Sequence, residues 1–192
     1  PHALSGMAIL MTDRLLLTNM VGVEVTGLYV VGAQIGMIIG FLEDAFNKAW
    51  VPFYLDKMKV GTTAAKLTVV KITYVYMAGL AVLALCLGLL APWFCRVFLG
   101  ASFEGSAKYV HLLALGNAFS GMYKMFSNAF FFANRTSYLA IATVTTAILN
   151  GILCYFLIQS IGEMGAALGT MIAYMISFLL TWIISSRILP MP

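Results

Sequence analysis

Apolar segments long enough to cross a bilayer follow one another from Ala3 to Ser185, separated only by short polar links. A hydrocarbon core ~30 Å thick takes ~20 apolar residues per helix. Six segments of that kind can be read: Ala3 to Met20, Val25 to Phe53, residues 66–94, Tyr109 to Phe132, Tyr138 to Gln159, and Gly165 to Ser185. The third has its apolar core from Tyr74 to Phe94 and a more polar lead-in from Ala64. Backbone groups in lipid must be satisfied internally, and none of these segments has the ~10-residue alternation of a membrane β-barrel, so each is expected to be a helix. Composition points the same way: 9% of the 192 residues are charged and 62% are hydrophobic. A soluble domain carries roughly 25% charged residues. The expected fold is therefore an all-α, polytopic membrane protein, a bundle of six transmembrane helices.

The net charge of +4 comes from Lys and Arg scattered singly along the chain, with no basic run of the kind that binds nucleic acid. Cys86, Cys95 and Cys154 have neither metal-ligand spacing nor a disulfide framework, and Cys86 and Cys154 read as small apolar packing residues. No Ser-His-Asp order, metal cluster or phosphate-cradling glycine loop can be assembled around the isolated His2 and His111. Neither an enzyme nor a cofactor is expected.

The links carry an asymmetry. Lys57, Lys59, Lys66, Lys71, Arg135 and Arg187 fall on one side of the expected bundle, and only Arg96 and Lys108 on the other. The excess assigns the first side to the cytoplasm. The second segment, at 29 residues, would span ~43 Å at 1.5 Å per residue, so it should tilt or project into the cytoplasm. Gly32, Gly36 and Gly40 line one face of it, and Gly165, Gly169 and Ala173 line a face of the sixth. Such faces let helix backbones approach closely.

Ionisable groups inside membrane helices cost at least ~2.5–3.5 kcal/mol each and demand a reason. Asp13 and Arg14 are adjacent and project ~100° apart, so they cannot pair well with each other. They are either an interfacial pair near the outer end or a cation for an anionic substrate beside a carboxylate that binds a proton or cation. Asp44 and Lys48 stand at i, i+4 with the acid first, the favourable order for an ion pair. Glu43 is left unexplained by that pair and is a second candidate for ion coupling. In the fourth segment Asn117, Ser120, Gly121, Lys124, Ser127 and Asn128 recur along one stripe, opposite a face of Leu, Phe and Met expected to meet lipid. Lys124 can snorkel to the inner interface, line an aqueous cavity, or pair across the bundle with Glu43.

These residues resemble a known family. Asp13-Arg14, then Gly27-Leu28-Tyr29 and Ala49-Trp50-Val51-Pro52, resemble the seventh and eighth helices of bacterial O-antigen and capsule flippases, relatives of the MATE efflux pumps. Leu149-Asn150, Leu157-Ile158, Gly162 and Gly165-Ala166-Ala167 through Thr170 resemble the family's last two helices. Leu99-Gly100 and Lys108-Tyr109 fit its middle segment, with Phe103 in place of the common Tyr. The resemblance implies one six-helix lobe of a two-lobed, MATE-like transporter in the bacterial cytoplasmic membrane. The start at Pro1, within an apolar segment, adds the expectation of an N-terminal lobe before it. It further implies flipping of undecaprenyl-pyrophosphate-linked oligosaccharide by alternating access, with Arg14 and Lys124 as cations for the substrate beside Asn117 and Asn128. A cation-coupled multidrug pump is the alternative, though Lys124 weighs against it. A membrane-embedded glycan polymerase or ligase would call for a longer outer loop.

The orientation is directly testable. A membrane-impermeant thiol reagent applied to intact cells is expected to label Glu104→Cys and to leave Lys59→Cys unlabelled, and the reverse pattern would invert the topology.

Overall fold

The computed structural model describes the backbone of residues 2–191 and the side chains of residues 9 and 11–191. Pro1, on which the expected N-terminal lobe rests, and the side chain of His2 lie outside the described residues. Among the described residues the chain forms six long helices and no strand: α1 (His2–Met20), α2 (Val23–Val60), α3 (Thr63–Phe94), α4 (Ala107–Phe132), α5 (Ser137–Ile161) and α6 (Met164–Ile188). One wide turn (Cys95–Leu99) and one tight turn (Ala101–Ser106) join α3 to α4. α2, the α3 helix with its wide turn, α5 and α6 are each long and apolar enough to cross a membrane.

α2 is longer than its apolar segment. Its 38 residues reach roughly 57 Å at 1.5 Å per residue. It runs through Pro52 to Val60 because its last turns have something to pack on: Trp50, Tyr54 and Met58 are buried with Val69 and Met125. Gly61 then closes the helix with a left-handed φ of 69°, its N–H bonded to the Lys57 carbonyl. The next residue, Thr62, starts α3 by accepting a hydrogen bond from the Ala65 N–H at 3.3 Å. The α2–α3 hairpin thus closes at the lysine-rich end, where the last turns of α2 pack with Phe132 and Leu189 at the ends of α4 and α6.

α4 runs through the middle, packed against α2, α3 and α6. This corrects the expectation of a lipid-facing side. Leu113, Met122, Tyr123, Met125 and Phe130 are as buried as Ser127 and Asn128. The central cluster of Ile39, Leu80, Ala114, Ala118 and Phe178 draws on α2, α3, α4 and α6 together. Lipid instead meets α3 and α5, where Leu89, Val75, Ile141 and Phe156 are exposed. A helix enclosed along most of its length can carry a polar stripe without facing lipid.

Glycines set the helix spacing, as their pattern predicts. A Cβ added to Gly32 would meet the Ser106 carbonyl oxygen at 2.8 Å, and one added to Gly36 the Leu113 Cβ at 3.2 Å, so the α2 glycine ridge seats α4. On α6, a Cβ at Gly165 would lie 2.3 Å from the Leu157 carbonyl carbon, and one at Gly169 would lie 2.8 Å from Cys154 Sγ. The first obstacle is backbone, which cannot swing aside. Gly165→Ala is expected to lower stability by about 1–3 kcal/mol through overpacking. Gly79→Ala, where nothing lies within 4 Å, should be neutral or slightly stabilising. Thermal unfolding of the detergent-purified proteins compares the two.

Candidate functional site

Asp13 lies in the interior of the bundle, 2% exposed. α5 and α6 pack over it, and their polar side chains take the place that water would have at an interface. Its carboxylate accepts four hydrogen bonds from three other helices. Tyr29 of α2 donates to Oδ2 at 3.0 Å, and Thr170 of α6 donates to the same oxygen at 2.7 Å. Asn150 of α5 donates to Oδ1 at 2.7 Å, with the Cys154 thiol 3.3 Å from that oxygen. Cys154 is thus a member of a polar cluster and not the apolar packing residue its surroundings in the sequence suggest. All four donors are neutral, and no ion pair to Asp13 is formed among the described residues.

Local order holds the donors in place. Asn150 and Cys154 stand one turn apart on the same face of α5. Thr170 comes within reach because Gly169 brings the α6 backbone against Cys154. The Tyr29 ring is fixed edge-on against Tyr109, with centroids 5.5 Å apart.

Beside the carboxylate is a cavity of about 30 Å³, lined by Asp13, Arg14, Tyr29, Asn117, Thr170 and Tyr174 among others. It has room for one or two water-sized species. Arg14 is half-buried at its edge and forms no ion pair among the described residues. Asn117 reaches the same cavity while donating to the Leu113 carbonyl of its own helix at 2.8 Å. The structure therefore brings together Asp13, Arg14 and Asn117, three of the residues singled out in the sequence.

The other three belong elsewhere. Lys124 makes ion pairs with Glu43 at 3.0 Å and Asp44 at 2.5 Å. The expected Asp44–Lys48 pair is absent among the described residues, because Asp44 turns to Lys124 across the α2–α4 contact and leaves Lys48 exposed. Glu43 is 3% exposed, and Gly121 makes room for it: a Cβ there would lie 2.3 Å from Glu43 Oε2. Asn128, buried, donates to the Lys124 carbonyl at 3.0 Å and lies off the Asp13 cavity. Lys124 is thus a paired cation, one of the alternatives its position allowed, and stands seven residues along α4 from Asn117. At the end of the bundle opposite the lysine-rich links Lys108 pairs with Glu163, whose hydrogen bond holds the ammonium above its ordinary pKa.

Tyr29, Asn150, Cys154 and Thr170 were not read from the sequence as site residues. A faint signal was present: Asn150 and Thr170 are polar interruptions in α5 and α6, among the most apolar stretches of the chain. What was missing was the register that points them at Asp13.

Fold and site together define an all-α, multi-pass membrane protein with a polar cluster enclosed in its helix bundle. The comparisons agree at that level. No known protein-family pattern matches the chain. A relative described as an uncharacterized membrane protein, from Haemophilus influenzae (strain ATCC 51907 / DSM 11121 / KW20 / Rd), is 25% identical over 141 residues, which is 71% of this chain and 34% of the relative. The chain thus spans about a third of that relative's length. No solved structure matches.

The ion pair carries its own forecast. Lys124→Met leaves Glu43 buried without its cation and is expected to cost about 1–3 kcal/mol, below the full cost of a buried pair because Lys124 is partly exposed. Membrane abundance should fall, and Lys124→Met/Glu43→Gln should restore it. Quantitative immunoblotting of the membrane fraction is the check.

Proposed function

We propose that the chain is one lobe of a transporter that flips undecaprenyl-pyrophosphate-linked oligosaccharide across the bacterial cytoplasmic membrane by alternating access. The observation that carries this reading is the half-buried Arg14, with no ion pair among the described residues, beside the enclosed carboxylate of Asp13 at a cavity between four helices. Ionisable groups held inside a membrane bundle without a structural ion pair mark substrate and ion pathways. A guanidinium is suited to a pyrophosphate, since its fork can give two parallel hydrogen bonds to one anion. The resemblance to O-antigen and capsule flippases supplies the substrate class.

Within this reading Arg14 is the contact for the anionic head group, and Asp13 is the site at which a proton or cation couples. Glu43, neutralised by Lys124, recedes as a coupling group, and Lys124 recedes as a substrate contact while its pairs are intact. A cation-coupled multidrug pump of the MATE type is the second reading. It is favoured by the cavity's acid, Asp13, being enclosed while its base, Arg14, is only half-buried.

The test is complementation of a strain whose own gene for this protein is deleted. Arg14→Ala is expected to reduce surface glycan at least tenfold at unchanged membrane abundance, with lipid-linked oligosaccharide accumulating in the inner leaflet. Arg14→Lys should retain part of the activity because charge is kept while the fork is lost. Wild-type surface glycan in the deletion strain, accompanied by sensitivity to cationic drugs, would move the assignment to the multidrug pump.

A further inference from the structure

Where α4 ends, α5 begins and α6 ends, the bundle holds an open cavity of about 680 Å³ lined by Ala133, Arg135, Tyr138, Ile184, Arg187 and Ile188. It is separate from the Asp13 cavity and shares no lining residue with it. Its two charged liners are both guanidiniums, and no carboxylate lines it. The ion pairs among the described residues involve Lys108 and Lys124 and leave Arg135 and Arg187 out.

The local backbone fixes these groups. Asn134 takes a left-handed φ of 53°, which turns the chain so that the Arg135 N–H donates to the Phe130 carbonyl at 2.8 Å. That bond ties Arg135 to the last turns of the buried helix α4. The Tyr138 ring stacks on Phe130, with centroids 6.0 Å apart, and so stands on the same anchor. Across the cavity Arg187 projects from the last turn of α6 between Ile184 and Ile188. The result is a cavity whose lining joins two cations and a phenol to the apolar side chains of Ala133, Ile184 and Ile188.

That combination has a chemistry. Two cations facing one cavity repel each other, and an anion between them reverses the sign of the interaction. Guanidiniums bind phosphate oxygens bidentately, and their weak hydration suits an interface. The isoleucines offer a surface to acyl chains and glycerol, which a free phosphate would not use. The cavity lies at the same end of the bundle as Lys57, Lys59, Lys66 and Lys71, the end that the charge asymmetry assigns to the cytoplasm. Basic pockets between transmembrane helices on that side bind anionic head groups.

We propose that this cavity is a binding site for an anionic phospholipid of the cytoplasmic leaflet. Its phosphate sits between Arg135 and Arg187, the Tyr138 hydroxyl donates to the head group, and the upper acyl chain lies along Ile184 and Ile188. Because the α4–α5 turn, α5 and α6 all contribute, an occupied site ties the end of α6 to the turn that joins the other two helices. The assignment is independent of what the protein transports.

The intact protein, purified in detergent, is titrated with dioleoylphosphatidylglycerol and with dioleoylphosphatidylcholine, and binding is read by native mass spectrometry. Phosphatidylglycerol is expected to bind about tenfold more tightly, and Arg135→Gln/Arg187→Gln should remove that preference while leaving phosphatidylcholine binding unchanged. Arg135→Lys/Arg187→Lys should keep phosphatidylglycerol affinity within about threefold, since both charges remain. Should the double Gln variant fail to fold, the exposed Arg187→Gln alone is expected to lose about threefold or more. Equal binding of the two lipids overturns the proposal, as does full phosphatidylglycerol affinity in the Gln variants. Displacement of phosphatidylglycerol by ~10 mM inorganic phosphate also overturns it, because the site would then be one for free anions and not for a lipid.

Discussion

A carboxylate with no ion pair among the described residues, sealed inside a bundle of apolar helices, is the constraint around which this structure is organised. Removing a carboxylate from water costs several kcal/mol even after relaxation, and an unmatched donor set would leave that cost standing. Asp13 offsets it with four donors, and hydrogen bonds to charged groups contribute about 1.5–3 kcal/mol each. The donors come from α2, α5 and α6, and the acceptor from α1, so four helices must be in register at once for the charge to be tolerated. Helix packing in lipid lacks the hydrophobic drive of a soluble core, which gives such polar contacts more say over which packing is adopted.

The glycines make that register reachable. Thr170 and Asn150 can address the two oxygens of one carboxylate only if α5 and α6 nearly touch. Gly165 and Gly169 provide that approach, one against the Leu157 backbone and the other against Cys154. The α2 ridge plays the same part for α4, seating it near Ser106 and Leu113 and turning Asn117 toward the Asp13 cavity. Small residues and polar cluster are therefore parts of one device. A larger residue at Gly169 would separate the donors from Asp13 as well as the helices from each other.

Much of this was legible in the sequence, for identifiable reasons. Segment length and apolar runs are local properties, and they place all six helices within a few residues. The end of α2 is the exception: its last seven residues are held by contacts of Trp50, Tyr54 and Met58 with other helices, which no local pattern reports. Glycine spacing at four residues was likewise visible, because a helical face is determined by sequence alone. Pairing across helices was not. Asp44 had a local candidate in Lys48, and the tertiary partner Lys124 prevailed because its ammonium reaches two carboxylates at once. Arg14 could be recognised as lacking a good partner in Asp13, while the partners of Asp13 itself depended on rotations of α5 and α6 that apolar composition leaves undetermined.

The two buried carboxylates differ in what they can do. Glu43 faces a cation, so a proton arriving there must compete with Lys124, and its loss of charge would leave that ammonium with Asp44 alone. Asp13 is hydrogen-bonded by neutral groups among the described residues, with Arg14 beside it at the cavity but not paired to it, and several of those groups can reverse. Thr170 has one hydroxyl hydrogen and two acceptors in reach, Asp13 Oδ2 at 2.7 Å and the Ala166 carbonyl at 3.0 Å. With Asp13 ionised, the hydrogen goes to the carboxylate. With Oδ2 protonated, that O–H donates to the Thr170 oxygen, and Thr170 turns its own hydrogen to Ala166. Cys154 has the same freedom, its sulfur lying 3.5 Å from both the Asn150 side-chain oxygen and the Ala166 carbonyl. Either charge state of Asp13 can thus be hydrogen-bonded with the heavy atoms where they stand, and only the strength of the tie between α1 and its neighbours changes. A group that gains and loses charge inside a bilayer needs that tolerance, which is why the coupling role proposed here falls to Asp13 and not to Glu43.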